Sequence, residues 1–439
     1  MQKIFELLKN KIHYLIIVYV IVQLIYVLFF PIKFQSDSYY YYRLAEQCIS
    51  SHSFYPAPRQ LYEDYISAPL YINLLIIVLT IYNSTVTIGL LNIILNMLQL
   101  FLVYSISKKL MNKEIAIKTA AIYVFYLGTL GLVLLNFTEL FFNVLVLSSI
   151  YFYLKKTNLS YIFAGILAGA SIGVRPLGWA LLISYILISI YQVIKMKSSF
   201  SKNLIILIGF ILFILTFGFY TKSYFGKFIY TSTNGPANFL IGANNNATGG
   251  FNSTVFEPGK IGYIQNEESE TYIEKGKFYE HKAINWIEHH PVKWIALIPV
   301  KLGYIFLWDD YSVSQLMHMQ DWNLYVILKH IITTKSLRGL LGNASIAVKV
   351  TFFSLLIIHH LYYFLLLFLM IMGIRIMIKN DKLNIDLLLL ILVALLILSM
   401  TVLVFGAARF KYPIMILLLP FAGFKLSTIK EVKYFNSYK

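Results

Sequence analysis

What most restricts this chain is a series of apolar runs, each long enough to cross a bilayer and set apart by short basic loops. They lie near 13–30, 86–107, 115–134, 138–154, 160–174, 177–194, 203–222, 347–374, 384–404 and 408–425. A helix needs about 20 apolar residues to cross the hydrocarbon core. In lipid every backbone amide must be bonded inside the protein, which leaves helices as the open-ended solution. The expectation is an all-α polytopic membrane protein of about ten transmembrane helices. Composition agrees: 59% of the 439 residues are hydrophobic and only 13% are charged. No soluble domain needs so much apolar surface.

The net charge of +17 would suit nucleic acid, but its distribution does not. Basic residues gather in alternate short loops, the orientation signal of a membrane protein. Lys3, Lys9 and Lys11 precede the first run, and Lys108, Lys109, Lys113 and Lys118 follow the second. Lys155 and Lys156, then Lys195, Lys197 and Lys202, then Arg375, Lys379 and Lys382, and finally Lys425 to Lys439 continue the series. All fall on the cytoplasmic side if two segments are not spans. Residues 70–82 are therefore read as an interfacial helix, and 292–308 as lying against the outer face. The first run lacks a small-residue cleavage site and is read as a retained helix. The single cysteine, Cys48, allows no intrachain disulfide. The chain divides into a membrane module, 1–222, whose first outer loop is 31–85, an outer region, 223–346, and C-terminal helices, 347–439.

The outer region is rich in turn formers, notably Asn234-Gly235-Pro236 and Gly242-Ala243-Asn244-Asn245-Asn246-Ala247-Thr248-Gly249-Gly250. A solvated loop is expected there, although Asn and Gly beside aromatics also suit a polyhydroxylated ligand. Gly165, Gly169 and Gly173, at spacing four, predict close helix packing. Adjacent histidines, His289–His290 and His359–His360, point about 100° apart on a helix and do not chelate one ion easily. No metal or other cofactor is expected. Trp308-Asp309-Asp310 reads as a hydrated loop, the alternative being a cation site shared with Asp37, and Lys301 as a snorkelling anchor or a phosphate contact.

Four polar features converge on the outer side. Asp37 opens a segment in which Asp37, Tyr41 and Ala45 share one helix face at i, i+4, i+8; an N-cap aspartate on a surface helix is the plainer alternative. Asn136-Phe137-Thr138-Glu139 and Gly173-Val174-Arg175-Pro176 form tight outer turns. Gly406-Ala407-Ala408-Arg409-Phe410-Lys411-Tyr412-Pro413 opens the last run. Arg175 and Arg409 need partners: either Glu139 and Asp37, or a lipid phosphate held bidentately. Acids and arginines around a lipid-facing cleft suit sugar transfer. An acid deprotonates the acceptor, and the arginines stabilise the departing phosphate.

These stretches, with Ala68-Pro69-Leu70-Tyr71 and Ala283-Ile284-Asn285-Trp286 leading toward Lys301, resemble the GT-C glycosyltransferases. The likeness is to relatives of protein O-mannosyltransferases and lipid A aminoarabinose transferases. It implies a GT-C-type helical bundle with outer-face interfacial helices. It further implies a polyprenyl-phosphate sugar donor, an inverting mechanism and an active site on the non-cytoplasmic face, in a bacterial inner membrane. The acceptor is a glycan, lipid or protein. On this resemblance Asp37 is the catalytic acid/base position and Glu139 the competing acid. Arg175, Arg409, Lys301 and Arg43 are candidates for the donor phosphate, and Tyr41, Tyr71, Asn244 and Asn245 for substrate contacts. One departure concerns a second acid that many relatives carry directly after the first. Ser38 stands there, with Glu63 and Asp64 later in the loop. A polysaccharide polymerase or ligase is the nearest rival. A flippase would show charges within spans or repeated broken helices.

Overall fold

A computed structural model describes residues 2–30, 32, 34, 36–196, 201–265, 267–319, 322, 324–334 and 344–435. Gln35, Lys197 and Lys439 lie outside them. Long helices alternate with short ones. In the N-terminal part these are α1 (Gln2–Phe29), α2 (Asp37–Ser50), α3 (Pro69–Ile81), α4 (Thr85–Leu110), α5 (Lys113–Phe125) and α6 (Leu127–Val133). Next come α7 (Glu139–Tyr153), α8 (Asn158–Val174), α9 (Trp179–Met196) and α10 (Ser201–Phe225). The outer region carries α11 (Gly235–Ile241), α12 (Tyr272–His289), α13 (Pro291–Phe306), α14 (Tyr311–Leu316) and α15 (Leu324–Thr334). The chain closes with α16 (Ile346–Lys379), α17 (Ile385–Leu403) and α18 (Lys411–Phe435). Among the described residues the sole β-type pairing is an isolated bridge between Gly250 and Gly406.

Eight helices among the described residues are long and apolar enough to cross a membrane, or nine counting one bent pair. The expected spans at 138–154 and 160–174 form α7 and α8, of 15 and 17 residues. The segment 292–308, expected against the outer face, lies within a stretch that passes the same length and hydropathy test. The run at 70–82 forms α3, whose 13 residues reach only about 20 Å. One face of α3 is buried through Tyr71, Ile72, Leu75 and Leu79.

The run 115–134 is not the single span its hydropathy predicts. It breaks at Tyr126, with a bend of 59° between α5 and α6. The cause is tertiary. The Tyr126 hydroxyl donates to Asp309 Oδ2 at 2.6 Å. The Thr129 hydroxyl donates to the Tyr126 carbonyl, which the break frees, at 2.7 Å. Gly131 lets α14 close on α6, since a Cβ there would lie 2.4 Å from Ser312 Cβ.

Gly165 on α8 and Gly209 on α10 face the opposing backbone: added Cβ atoms would sit 2.0 Å from the Ile206 carbonyl and 2.2 Å from that of Ile162. The glycine stripe thus serves close helix packing, as expected. A buried polar network ties α1 to α4 and α6, and α4 to α5. Asn96 Nδ2 donates to Gln23 Oε1 at 2.8 Å, the Tyr19 and Thr129 hydroxyls pair at 2.9 Å, and Gln99 Nε2 donates to the Tyr123 hydroxyl at 2.7 Å.

The outer region is not the solvated loop that its composition suggests. Leu240, Ile241, Tyr279, Ala283 and Trp286 form a second core with Phe405 and Phe410. Gly242 and Gly406 permit this docking. A Cβ on Gly242 would meet the Val404 carbonyl at 1.7 Å, and one on Gly406 the Lys301 carbonyl at 2.3 Å.

Candidate functional site

Asp37 stands in the first turn of α2, where the helix dipole favours an anion. Glu139 is the first residue of α7. Arg175 closes α8 in extended conformation, as a residue before proline must. Arg409 sits in the short 3-10 turn, Ala408–Phe410, that leads into α18. These four elements, far apart in sequence, bring their charged groups into one chain. The Arg409 guanidinium bonds Asp37 Oδ2 through Nη2. Its Nε lies 3.8 Å from Glu139 Oε1, which Arg175 Nη1 contacts at 2.6 Å.

The order is Asp37–Arg409–Glu139–Arg175, two acids alternating with two bases. Both arginines are thus already partnered, in the ion-paired arrangement rather than as cations awaiting a phosphate. The reason is burial. Glu139 is 1% exposed and needs a nearby cation. The outer end is open, with Asp37 at 37% exposure and Arg409 at 24%. Aromatic faces back the bases: Arg409 lies 4.8 Å from the Phe137 ring centroid and Arg175 5.4 Å from that of Phe410. Burial alone would raise the Asp37 carboxyl. The charge and hydrogen bond of Arg409, with the charge of Arg175, hold it below its ordinary range. Nearby Tyr65 is pushed up to about 12, by burial first and then by the Asp37 charge.

The expected helix face of α2 is real: Tyr41 and Ala45 are buried and Asp37 stands at the rim. The Tyr71 hydroxyl donates to Asn136 Oδ1 at 2.9 Å, and Asn136 Nδ2 donates to the Ser38 carbonyl at 2.9 Å. Tyr71 therefore braces α2 against the turn before α7, with Tyr41 edge-on to it at 5.7 Å. Ser38 is buried, facing into the bundle. Asp64 is engaged elsewhere, 3.2 Å from Lys275 Nζ. Arg43 is not brought to the site. It is exposed on the far side of α2 from Tyr41 and lies over the Tyr40 ring at 5.5 Å. Asn244 spends its amide on the Leu240 and Ile241 carbonyls, and Asn245 Oδ1 accepts from Trp286 Nε1 at 2.8 Å. Both line a cavity of about 290 Å³ in the outer region, with Asn246, Gly259 and Lys260.

A second cluster lies just behind. Asp309, read from sequence as part of a hydrated loop, is fully buried. Its carboxylate meets Lys411 Nζ at 2.9 Å, His359 Nε2 at 3.0 Å and the Tyr126 hydroxyl at 2.6 Å. The signal was in the sequence: Lys411, a buried cation on an apolar helix, demanded an acid. Arg409 and Lys411, two residues apart, thus tie the start of α18 to both clusters. Deeper in the bundle, an apolar groove of about 350 Å³ runs between α16, α17 and α18. Met370, Ala394, Ile414 and Met415 line it, and Ile371 and Leu395 are exposed at its rim. Among the described residues no group of three or more His, Cys, Asp or Glu side chains is placed to hold a metal ion.

No protein-family model matches the chain, and no curated protein matches it by sequence. Solved structures of the oligosaccharyltransferase of Archaeoglobus fulgidus do match in fold, at 14% identity. The apo form has a TM-score of 0.52 and covers 97% of this chain and 51% of that one. The form with Zn and sulfate has a TM-score of 0.51, with 96% and 50% covered. The form of that enzyme, AglB, with an inhibitory peptide and a dolichol-phosphate has a TM-score of 0.51, with 97% and 51% covered. This chain therefore shares its fold with that oligosaccharyltransferase and spans about half the length of the structures it matches.

Proposed function

We propose that this chain is a membrane glycosyltransferase that moves a sugar from a polyprenyl-phosphate donor to an acceptor on the non-cytoplasmic face, with inversion. The observation that carries this reading is the chain Asp37–Arg409–Glu139–Arg175, built from four separate turns at one end of a GT-C fold. The apolar groove beside α18 supports a lipid-borne substrate, because its rim opens outward through Ile371 and Leu395. The dolichol-phosphate bound by the archaeal relative agrees.

The chemistry follows from the pairings. Asp37, ionised and exposed at the end of the chain, accepts the proton of an acceptor hydroxyl or amide. The acceptor atom forms a bond to the anomeric carbon while the bond from that carbon to the phosphate oxygen breaks. The electron pair leaves on the lipid phosphate. Arg409 exchanges part of its contact with Asp37 for that oxygen, and its planar fork has donors for both. As Asp37 takes the proton, its hold on Arg409 weakens just when negative charge appears on the phosphate. Glu139 and Arg175 keep the guanidinium in place, since Glu139 is anchored by Arg175 and cannot follow Asp37. Single displacement at the anomeric carbon gives inversion.

The test is transfer from a radiolabelled polyprenyl-phosphate sugar by purified protein, with a panel of glycan, lipid and peptide acceptors. Product of inverted configuration that depends on Arg409 supports the reading. Wild-type protein that transfers to none of the acceptors and leaves the donor intact overturns it.

A further inference from the structure

Tyr65 lies in the first outer loop, between the 3-10 turn Pro58–Tyr62 and α3, and its neighbours on both sides are tied down. Ahead of it, Lys275 Nζ donates to the Tyr62 carbonyl at 2.8 Å and lies 3.2 Å from Asp64 Oδ1. Behind it, Ile66 N donates to Thr233 Oγ1 at 2.8 Å. The Ile66 carbonyl accepts from Thr233 N at 2.8 Å and from Ser232 Oγ at 3.0 Å. Ser67 N donates to the Tyr55 hydroxyl at 2.9 Å. Loops without such ties belong to the least stable part of a fold. This one is fixed, mostly by the outer region, so the Tyr65 side chain is presented from a rigid support.

That side chain spans the open end of the ion chain. Its ring packs against the second core, which Phe410 and Ala407 of the Arg409 turn also join. It lies 6.1 Å from the Tyr40 ring, edge-on. Tyr40 stands one turn beyond Asp37 on α2. Tyr65 thus bridges the helix that presents Asp37 and the core that seats the turn of Arg409. Its hydroxyl feels both charges. Burial first, then Asp37, push it up to about 12, with Arg409 acting the other way. The phenol therefore stays protonated at neutral pH, a donor and not a second base. The side chain is partly exposed, and among the described residues its hydroxyl has no hydrogen-bond partner.

We infer that the Tyr65 hydroxyl and the Tyr40–Tyr65 ring pair orient the acceptor beside Asp37, and that this acceptor is a sugar whose reacting hydroxyl has a second hydroxyl next to it. This rests on the proposed function and names its acceptor class. The reacting hydroxyl gives its proton to Asp37 while its oxygen bonds the anomeric carbon and the bond from that carbon to the phosphate oxygen breaks. The neighbouring hydroxyl pairs with Tyr65, which neither gains nor loses a proton. A phenol donates and accepts, as a sugar hydroxyl does, and the tyrosine rings offer an apolar face to the C–H side of the sugar. The backbone here is unsuited to a peptide. Ile66 could offer an extended peptide a strand to pair with, but it spends both its amide and its carbonyl on Ser232 and Thr233.

The experiment uses full-length wild type, Tyr65→Phe, Tyr40→Leu and, as a control at an exposed ring, Tyr62→Phe, all in nanodiscs. Saturation-transfer NMR reads binding of methyl glycosides, from mono- to tetrasaccharides, and of short peptides containing serine, threonine or asparagine. Transfer from a polyprenyl-phosphate sugar to each binder is then measured. Phenylalanine keeps the ring and its packing, and thermal unfolding checks the fold. We expect glycans to bind and peptides not to. Tyr65→Phe should raise the acceptor KM about three- to tenfold, with kcat changed less. Tyr40→Leu should weaken the same glycans, and Tyr62→Phe should match wild type. A glycoside lacking the hydroxyl beside the reacting one should cost wild type the same factor and cost Tyr65→Phe nothing more. Direct contact gives that non-additivity; a structural role does not. Binding of no glycan, preference for a peptide, or an unchanged KM in folded Tyr65→Phe overturns the inference. Transfer to peptides that Tyr65→Phe leaves intact keeps the transferase reading and removes this one. Tyr65-dependent glycan binding without transfer does the reverse.

Discussion

At Asp37 two demands meet. The group must be ionised to accept a proton, and it must release Arg409 once it has done so. Its depressed carboxyl satisfies the first, because the neighbouring guanidiniums outweigh burial. Asp37→Asn is expected to retain the fold while losing on the order of 10²–10⁴-fold in turnover. Glu139→Gln is expected to act differently. It leaves Arg175 and Arg409 with one full charge fewer between them and weakens the framework, so protein yield and donor binding fall along with turnover. A transfer assay on both purified variants decides the roles. Near-normal turnover in Asp37→Asn with loss confined to Glu139→Gln would move the catalytic role to Glu139. The sign of the pH effect follows from the same pairing. A folded-state carboxyl below its unfolded value contributes stability that is present above the unfolded range and lost as pH falls through the lowered value. Wild-type thermal stability measured down through the acid range should therefore lose an Asp37 contribution that Asp37→Asn never shows. The four charges were legible in sequence because charged groups stand out at the ends of apolar helices. Their pairing order was not, since it depends on which turn each helix end reaches.

Elements, rather than single residues, explain why Arg409 arrives where it does. The turn that carries it is pinned on one side by Gly406 against α13 and on the other by Lys411 and Tyr412 in the Asp309 cluster. Breaking a buried ion pair by removing one partner typically costs about 3–5 kcal/mol. Asp309→Asn should therefore lower thermal stability by that order and reduce turnover by displacing Arg409. Tyr126→Phe, which removes one hydrogen bond to Asp309, should cost only about 1–2 kcal/mol. Equal melting points for wild type and Asp309→Asn would show that the cluster does not anchor α18. The groove between α16, α17 and α18 makes a second claim at this scale. Ile371→Trp and Ala394→Leu should narrow it and lower the preference for long-chain over short-chain donors, whereas Leu361→Trp, on an exposed face of α16, should not. Hydropathy located most of these helices because lipid imposes one requirement on every span. It missed the break at Tyr126, where the sequence stays apolar and the bend comes from Asp309, 183 residues away.

Across the whole molecule, sidedness turns on α13. By length and composition the stretch Pro291–Leu316 passes as a span. If α13 crossed from the outer to the cytoplasmic face, every loop after it would change sides, and Arg375, Lys379 and Lys382 would face outward against the charge rule. The contacts argue against a full crossing. The N-terminal part of α13 packs on the outer core through Trp294. Its middle meets Gly406, and its end meets Tyr363, whose hydroxyl donates to the Phe306 carbonyl at 2.9 Å. Asp309 follows at once and binds Lys411 in the first turn of α18. The segment therefore ends at the level where α18 begins, not where it finishes. Tyr363 itself lies 16 residues before the end of α16, about 24 Å from its basic terminus. We expect Asn112→Cys and Asn380→Cys to be labelled from the cytoplasmic side and Thr248→Cys from the other. The native Cys48 is fully buried and should give little background. Labelling of position 380 from the same side as position 248 would make α13 a true span and put α17 and α18 in the opposite orientation, which would separate Arg409 from Asp37 and dissolve the site.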